Sequence, residues 1–147
     1  LTLEILGFRE IGRGRRHRSD TGQVLWSQVR AHRLILRNSE PSGKQGNKGD
    51  FELPARWLKK KSALNLATPF NFVSTADIIG GNSGSPVINR DAQVIGLAFD
   101  GNIHSLGGSF WYDPKLNRTV SVHSAAIIES LKSVYGADAL VGELLQN

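Results

Sequence analysis

Cysteine and methionine are both absent from this sequence of 147 residues, and proline occurs only 5 times. The lack of cysteine excludes disulfide bonds, thiolate metal sites and a cysteine nucleophile. Long apolar runs are absent as well. The longest, at residues 94–99, is far shorter than the roughly 18 residues that indicate a membrane span. The remaining composition, 39% hydrophobic and 21% charged residues, is typical of one globular domain of ordinary size.

The missing methionine also bears on how the chain begins. The first residue is Leu1, and no charged segment followed by an apolar one opens the sequence as a signal peptide would. We therefore expect an internal or C-terminal fragment of a longer protein, with its true start and any targeting signal elsewhere.

Positive charge is concentrated in the first third of the sequence. Residues 1–50 hold 10 Lys and Arg against 5 Asp and Glu, whereas residues 51–147 hold 8 of each. The excess centres on residues 13–18, RGRRHR. Such a cluster can neutralise phosphates, but no recognition helix, aromatic platform or zinc-finger spacing accompanies it. A solvated loop is therefore favoured over nucleic-acid binding, and a mis-framed or misassembled stretch is a third interpretation of residues 1–45.

We divide the sequence into a basic segment of uncertain structure at residues 1–49 and a second part at residues 50–147. Short apolar runs separated by turn residues predict a mainly β fold with a C-terminal α-helix. Strands are predicted within residues 1–8, 24–36, 70–75, 86–89, 93–99 and 119–122, with a hairpin turn at residues 90–92. Residues 38–50 are predicted to be a loop, residues 53–66 to hold a helical turn opened by Pro54, and residues 124–135 to form the helix, ended by Gly136.

The segment at residues 80–86, GGNSGSP, is typical of a serine nucleophile. Such a serine needs a tight turn that projects its Oγ, and backbone N–H groups directed at the developing oxyanion. In the chymotrypsin-type template these N–H groups belong to the serine and to the residue two before it, here Ser83 and Gly81. An α/β-hydrolase elbow is excluded because Ser85 stands where a glycine is needed, and no lysine follows to make a phosphate loop. A plain glycine-rich hairpin turn is the alternative.

Residues 50–145 resemble the C-terminal end of the bacterial dipeptidyl-peptidase family in the chymotrypsin clan, which includes dipeptidyl-peptidase 7 and Asp/Glu-specific relatives. The matching segments are residues 71–87, 96–102, 118–122 and 135–137. The FDGN and RTVSV sequences within them make the match specific, and residues 1–45 do not contribute. The resemblance implies part of the second barrel of a chymotrypsin-like double β-barrel.

The resemblance implies release of dipeptides from the free N-terminus of peptides, with no metal or organic cofactor. Ser83 matches the family's nucleophile, and Asp100 matches an acidic residue that holds the substrate's α-ammonium group. Gly101 falls where the family varies its first subsite, and glycine there implies a preference for an apolar P1 residue, because it leaves the pocket open and uncharged. Taken alone, Asp100 is equally well explained as a turn residue after a strand. Family analogy further implies periplasmic or secreted enzymes and is compatible with a homodimer.

Asp77 lies six residues before Ser83, where trypsin-like enzymes carry the acid that selects Arg or Lys. A basic-specific endopeptidase is therefore a third functional hypothesis. It is disfavoured because the dipeptidyl peptidases carry Asp there whichever P1 residue they prefer, which implies a structural role. The lack of cysteine also counts against it.

No histidine is assigned as the general base that Ser83 requires. In this clan the base and its carboxylate precede the serine. The upstream candidates, His17 and His32, both lie among arginines that disfavour an imidazolium, and neither lies in the family's histidine motif. His104 and His123 follow the serine.

We therefore expect this chain alone to have no peptidase activity. The sequence allows three functions: a fragment of a serine dipeptidyl peptidase, a non-catalytic basic β domain that binds nucleic acid or another polyanion, and the trypsin-like endopeptidase. The first is favoured, with peptides as partners and with no nucleic acid or membrane span expected.

Overall fold

A computed structural model of the chain describes residues 2–5, 21–25 and 52–146. Six antiparallel strands close into a barrel in which each strand is hydrogen-bonded to two neighbours. They are β1 (Thr2–Ile5), β2 (Thr21–Leu25), β3 (Asn71–Ser74), β4 (Pro86–Asn89), β5 (Val94–Gly101) and β6 (Thr119–His123). Around the barrel their order is β1-β2-β3-β6-β5-β4, and the pairing of β1 with β4 closes it.

The barrel interior is filled by alternate residues of these short strands. Successive side chains of a strand point to opposite faces, so Phe72 and Ser74 of β3 are buried while their neighbours are half-buried. Phe72, Val87 and Ala98 form the apolar core, with at most 1% of any of them exposed. This small core, contributed by β3, β4 and β5, joins the strand before the serine-containing loop to the two strands after it.

Gly96 of β5 allows two strands and an aromatic ring to approach closely. A Cβ atom at this position would lie 2.3 Å from the Val122 carbonyl oxygen and 2.7 Å from the Phe72 ring. Both distances are far below van der Waals contact, so no larger residue fits without moving the backbone. Packing across the barrel therefore requires glycine in the middle of β5.

His123 ends β6 beside the core. Its ring meets the Phe72 ring edge to face, with 5.8 Å between the ring centroids. Burial lowers the pKa of His123 below its ordinary value of 6.5, because the charged imidazolium loses hydration there. The side chain is thus a largely neutral part of the barrel wall at neutral pH.

The helical part, residues 52–70 and 125–146, forms a compact unit of its own. It contains α1 (Ala55–Lys59), the helix that begins as α2 (Ser124–Glu129) and continues as a π-helical turn (Ser130–Tyr135), and α3 (Asp138–Leu144). The Glu129 carboxylate accepts hydrogen bonds from the Asn65 N–H and the Ser133 hydroxyl, both at 2.9 Å. These bonds tie the loop after α1 to the long helix.

An aromatic pair strengthens the same connection. The Trp57 indole N–H donates to the Tyr135 hydroxyl at 3.3 Å, and the two rings meet edge to face. The Arg56 guanidinium lies 5.3 Å from the centroid of the Tyr135 ring, within cation–π range. Residues 56 and 57 of α1 thus anchor the end of the π-helical turn.

The expectation of a mainly β fold with C-terminal helices is confirmed. The hairpin of β4 and β5, strands β3 and β6 and the helical turn after Pro54 occur where the sequence predicts them. The predicted helix at residues 124–135 is present, although its second half is π-helical, and Gly136 ends it with a left-handed φ of 64°. Two elements were not predicted: α3 and a 3₁₀-helix at Ile103–Gly107.

The N-terminal third contributes two strands to the barrel, β1 and β2. They overlap the predicted strands at residues 1–8 and 24–36, of which the remaining parts lie outside the described residues. The loop predicted at residues 38–50 also lies outside them. The division at residue 49/50 stays a prediction.

Among the described residues, no helix reaches the length and apolar character that crossing a membrane requires.

Candidate active site

The candidate nucleophile lies in the loop of residues 79–86, named here the Ser83 turn, which leads into β4. Asn82 organises this loop with both its side chain and its backbone. The Ile79 N–H donates to the Asn82 carboxamide oxygen at 3.0 Å, and the Asn82 N–H donates back to the Ile79 carbonyl at 3.2 Å. The Ser85 N–H donates to the Asn82 carbonyl at 3.0 Å. Two tight turns in succession result, which share Asn82, and Ser83 lies within the second of them.

Two glycines allow the chain to make these turns. Gly81 has a φ of 98° and Gly84 a φ of 84°, both in the region that residues with a Cβ rarely adopt. There is open space around each position, so the requirement for glycine comes from the backbone angle and not from crowding. The glycines before and after the serine are thus explained by geometry.

The far end of the Ser83 turn is fixed to β5. The Gly84 N–H donates to the Ala98 carbonyl at 2.6 Å, and the Ala98 N–H donates to the Ser85 carbonyl at 2.9 Å. These bonds extend the antiparallel pairing of β4 and β5 beyond the start of β4. They hold Ser83 beside the C-terminal half of β5.

Ser83 is exposed, and its hydroxyl donates to the Phe99 carbonyl with 3.4 Å between the two oxygens. Neither the Gly81 N–H nor the Ser83 N–H donates to any acceptor within residues 52–146 or the two N-terminal strands. The two donors predicted for the oxyanion are therefore available next to the candidate nucleophile. Their role in catalysis stays a prediction.

A β-bulge in β5 determines where Asp100 points. Ala98 pairs with Ser121 and Asp100 pairs with Val120, so β5 has one extra residue here, Phe99. A regular strand would return to the interior at Asp100, two residues after the buried Ala98. The bulge resets this alternation, and Phe99 and Asp100 are both exposed.

Asp100 lies immediately after the carbonyl that contacts Ser83. Its carboxylate accepts a hydrogen bond from the Gly101 N–H at 2.8 Å, which fixes the side chain against its own strand. The rest of the carboxylate is exposed. An exposed carboxylate so close along the strand to the nucleophile is well placed to accept a hydrogen bond from an ammonium group.

Gly101 ends β5 opposite Thr119 and is half-buried. A Cβ at Gly101 would lie 2.8 Å from the Ser105 Cβ and 3.2 Å from the Ser105 Oγ. The resemblance implies an open, uncharged pocket at this position. In the structure the Ser105 side chain occupies the space into which a residue 101 side chain would extend.

The other predicted residues that the structure describes are not hydrogen-bonded to the Ser83 hydroxyl. Asp77 is half-buried after β3, next to Ala76, whose carbonyl accepts a 2.7 Å hydrogen bond from the Thr119 hydroxyl. His104 is exposed in the 3₁₀-helix. Neither His104 nor His123, the two histidines in the described part of the chain, is hydrogen-bonded to Ser83. His17, His32 and the basic cluster at residues 13–18 lie outside the described residues.

No group of three or more His, Asp or Glu side chains is placed to bind a metal ion within the residues that the structure describes. The chemistry available from these residues is therefore a serine hydroxyl with two nearby N–H donors and a carboxylate. These are the elements of acyl transfer, except for a general base.

A model of one peptidase family, Peptidase S46, matches residues 41–146 of the chain. The chain belongs to the peptidase S46 family. The match includes the whole Ser83 turn, β5 and the C-terminal helices, and it begins before the segment that resembled the dipeptidyl peptidases in sequence.

Curated relatives of this S46 chain are dipeptidyl peptidases. Over 97 residues, or 66% of the chain, it is 39% identical to dipeptidyl-peptidase 7 of Capnocytophaga gingivalis, and over 87 residues it is 37% identical to the Asp/Glu-specific dipeptidyl-peptidase of Shewanella putrefaciens. These alignments cover only 13% and 12% of the two relatives. The chain thus spans about an eighth of their length.

Solved structures of DPP11 from Porphyromonas endodontalis share the fold. One of them, in complex with the dipeptide Arg-Asp, superimposes with a TM-score of 0.64 at 20% identity. The superposition covers 98% of this chain and 19% of DPP11. The arrangement of strands and helices is therefore that of one part of the longer DPP11 chain.

One group of residues beside the site was not predicted from sequence: Asn102, Ser105 and Arg118. The Asn102 carboxamide oxygen accepts from the Ser105 hydroxyl at 3.0 Å and from the Arg118 N–H at 3.1 Å, while its NH₂ donates to the Leu116 carbonyl at 2.8 Å. Polar residues next to a catalytic-looking strand gave a signal for this cluster. Arg118, however, is 13 residues from Ser105 and 16 residues from Asn102 in sequence, and only the fold brings it to them.

Proposed function

We propose that this chain is the nucleophile-carrying part of a serine dipeptidyl peptidase that releases N-terminal dipeptides by acyl transfer through Ser83. The observation that supports it most is the Ser83 turn, where an exposed serine lies beside two N–H groups with no acceptor in the described part of the chain. Membership of the S46 family and the dipeptidyl-peptidase relatives supply the substrate class. In this proposal the six-stranded barrel is the second of two chymotrypsin-like barrels.

In the first step the Ser83 Oγ attacks the carbonyl carbon of the second residue of the peptide. The C=O electrons move to the oxygen, which the N–H groups of Gly81 and Ser83 stabilise, and the serine proton passes to a histidine base. When the C–N bond breaks, that proton goes to the leaving amine. Water then attacks the acyl ester, releases the dipeptide and restores the hydroxyl.

Asp100 supplies the restriction to a free N-terminus in this proposal. The ammonium group of a dipeptidyl unit lies one residue beyond the residue that acylates Ser83, and one carboxylate face of Asp100 is exposed beside the Phe99 carbonyl. A charge-assisted hydrogen bond to it would favour a terminal amine over a continuing chain. The uncharged Gly101 and the exposed Phe99, 48% accessible, favour an apolar P1 residue.

The general base and its carboxylate come, in this proposal, from a part of the longer protein outside this 147-residue chain. The 147-residue chain by itself is then inactive, because a serine hydroxyl without a base is a weak nucleophile at neutral pH. We also place the longer enzyme in the periplasm or outside the cell, which rests on family resemblance alone.

A serine-directed phosphonate tests the nucleophile. We expect the longer polypeptide to be labelled at Ser83 and to release dipeptides from a reporter peptide with a free N-terminus. Ser83→Ala should abolish labelling and lower the turnover by at least about 10⁴-fold. Ser85→Ala is the matched control, since Ser85 contributes backbone groups to the same turn and should label normally. Normal labelling of Ser83→Ala would overturn the assignment.

Two further experiments test the inactivity of the isolated chain and the requirement for a free N-terminus. We expect no hydrolysis by the 147-residue chain, and no hydrolysis by the longer polypeptide of a reporter whose N-terminus is acetylated. Hydrolysis by the isolated chain that Ser83→Ala abolishes would show that the base lies within it. Cleavage of the acetylated reporter as fast as the free one would favour an endopeptidase.

A further inference from the structure

A short segment, residues 103–108, connects two parts of the candidate site. At one end Ser105 lies against Gly101, at 2.8 Å from a Cβ built there. At the other end Gly108 lies against the Ser83 turn, because a Cβ on it would be 3.3 Å from the Ile78 carbonyl oxygen and 3.7 Å from the Ile79 side chain. The segment therefore forms a wall that reaches from the end of β5 to the start of the Ser83 turn.

Gly101 lies next to this wall on β5. It is two residues beyond Phe99, whose carbonyl contacts the Ser83 hydroxyl, and two residues of a strand span at most about 7 Å. A peptide residue that acylates Ser83 extends its side chain over about this distance. Residues at the end of β5 are thus within reach of the first side chain of a bound substrate.

Hydrogen bonds fix the direction of the Ser105 side chain. Its hydroxyl is 3.0 Å from the Asn102 carboxamide oxygen and 3.4 Å from the Arg118 carbonyl. The Ser105 N–H donates to the Asn102 carbonyl at 2.9 Å, and the Gly108 N–H donates to the Ser105 carbonyl at the same distance. Ser105 is therefore held against Gly101 and is not free to turn away from a larger neighbour.

We propose that Ser105 is a second specificity-determining residue, which acts with Gly101 as a pair. The Ser105 Cβ occupies the volume that any side chain at position 101 would need, so a change at 101 is accommodated only if residue 105 becomes smaller. This inference rests on the proposed dipeptidyl-peptidase function and names the part of the chain that selects the P1 side chain.

Thermal unfolding of the 147-residue chain tests the contact independently of any activity. Gly101→Ala should lower the melting temperature of the unsubstituted chain. The double variant Gly101→Ala/Ser105→Gly should have the same melting temperature as Ser105→Gly alone. Ser105→Ala is the matched control, because it removes the hydroxyl but keeps the Cβ that would be 2.8 Å from the new methyl group. It should give no such restoration. An equal effect of Gly101→Ala in all three backgrounds would overturn the pairing.

Selectivity in the longer polypeptide tests the consequence for substrates. Gly101→Arg introduces a cation that pairs with an Asp or Glu side chain. Alone it should displace residues 103–108 and lower kcat/KM for apolar and acidic P1 reporters alike. With Ser105→Gly added, kcat/KM for the acidic reporter should rise at least about tenfold over the single variant, by the usual size of coupling between neighbours. With Ser105→Ala added, it should not.

The two proposals fail in different ways. A complete switch to acidic substrates by Gly101→Arg alone, or no difference between the Gly and Ala backgrounds, would overturn the role of Ser105 while dipeptide release continued. Absence of dipeptide release from the unsubstituted polypeptide and of phosphonate labelling at Ser83 would overturn the proposed function, and the inference about substrate selection with it.

Discussion

Two turns flank β4, and both are organised by an asparagine side chain. Asn82 in the Ser83 turn accepts a hydrogen bond from one backbone N–H. In the turn at residues 89–93, named here the Asn89 turn, the Asn89 carboxamide oxygen accepts from the N–H groups of Asp91 and Gln93 at 3.0 and 2.9 Å. An asparagine carboxamide oxygen thus accepts hydrogen bonds from backbone N–H groups at both ends of β4.

The turns differ in the donors that they leave without acceptors. In the Asn89 turn the Ala92 N–H donates to the Asn89 carbonyl at 3.1 Å and the Asn89 N–H donates to the Gln93 carbonyl at 3.0 Å, so four of its five N–H groups are used within the turn. In the Ser83 turn the N–H groups of Gly81 and Ser83 have no acceptor in the described part of the chain. Exposed N–H groups without an acceptor on both sides of Asn82, against a largely satisfied Asn89 turn, distinguish a candidate anion site from an ordinary hairpin end.

Gly81→Ala should break this distinction most strongly. At a φ of 98° an alanine is strained, so the peptide before it should rotate and move its N–H away from the oxyanion. We expect kcat of the longer polypeptide to fall about 10²-fold, the usual result of losing one such donor. Gly80→Ala is the control, since Gly80 has no positive φ and has open space around it. The kcat of this variant should stay within about twofold of that of the unsubstituted enzyme, which is a change in activation free energy of at most about RT ln 2.

A smaller effect is expected when the asparagines themselves are removed. Asn82→Ala and Asn89→Ala should each destabilise the fold by roughly 1 kcal/mol, because the backbone N–H groups that donate to these side chains lose their acceptor. Only Asn82→Ala should also lower kcat, by about tenfold, through misplacement of Ser83. Denaturant unfolding and steady-state kinetics measure the two effects, and equal kinetic losses in both variants would show that the Asn89 turn also shapes the site.

Acid should destabilise the barrel that holds both turns, through His123. The folded-state pKa of His123 is lowered from 6.5, so below pH 6.5 the unfolded chain takes up a proton that the folded barrel resists. Stability should therefore fall as the pH falls through 6.5 toward the lowered pKa, and be unaffected by this group above that range. Comparing unfolding free energies at pH 7.5 and 5.5, we expect a smaller loss in His123→Gln. An identical loss would assign the acid sensitivity to other groups.

The smallest expected effect is at Ala92, the only non-glycine residue with positive φ in the described part of the chain, at 60°. Ala92→Gly relieves this strain in the Asn89 turn and should stabilise the barrel by up to about 1 kcal/mol. Because this turn has no role in the proposed chemistry, kcat should not change. A change in kcat would mean that the two turns are mechanically coupled through β4.

The sequence predicted those features that depend on neighbouring residues. Glycines around Ser83 and the apolar alternation of β3 and β4 are local signals, and the turn and strands occur where these signals lie. Closure of the barrel by β1 and β4 is different, since it pairs residues more than 80 positions apart. The hydrophobic periodicity and the strand propensity of a segment contain no information on which distant strand it pairs with.

The surroundings of Gly101 show the same limit at the candidate site. An uncharged glycine was expected to leave open space, but the neighbour that occupies this space, Ser105, belongs to a 3₁₀-helix without a strong sequence signal. Asn102 and Arg118, which hold that helix in place, are brought together by β5 and β6. The sequence therefore identified Gly101 as a candidate site residue but did not predict its contact with Ser105.

The bulge at Phe99 makes the length of β5 as important as its composition. Deleting one residue between Ala98 and Gly101 would restore regular alternation and direct the next side chain into the barrel in place of Asp100. Substitutions here change one contact, whereas an insertion or deletion of a single residue exchanges the faces of all that follow. Homologous segments with the same function should thus keep the spacing between Ser83 and Asp100 constant.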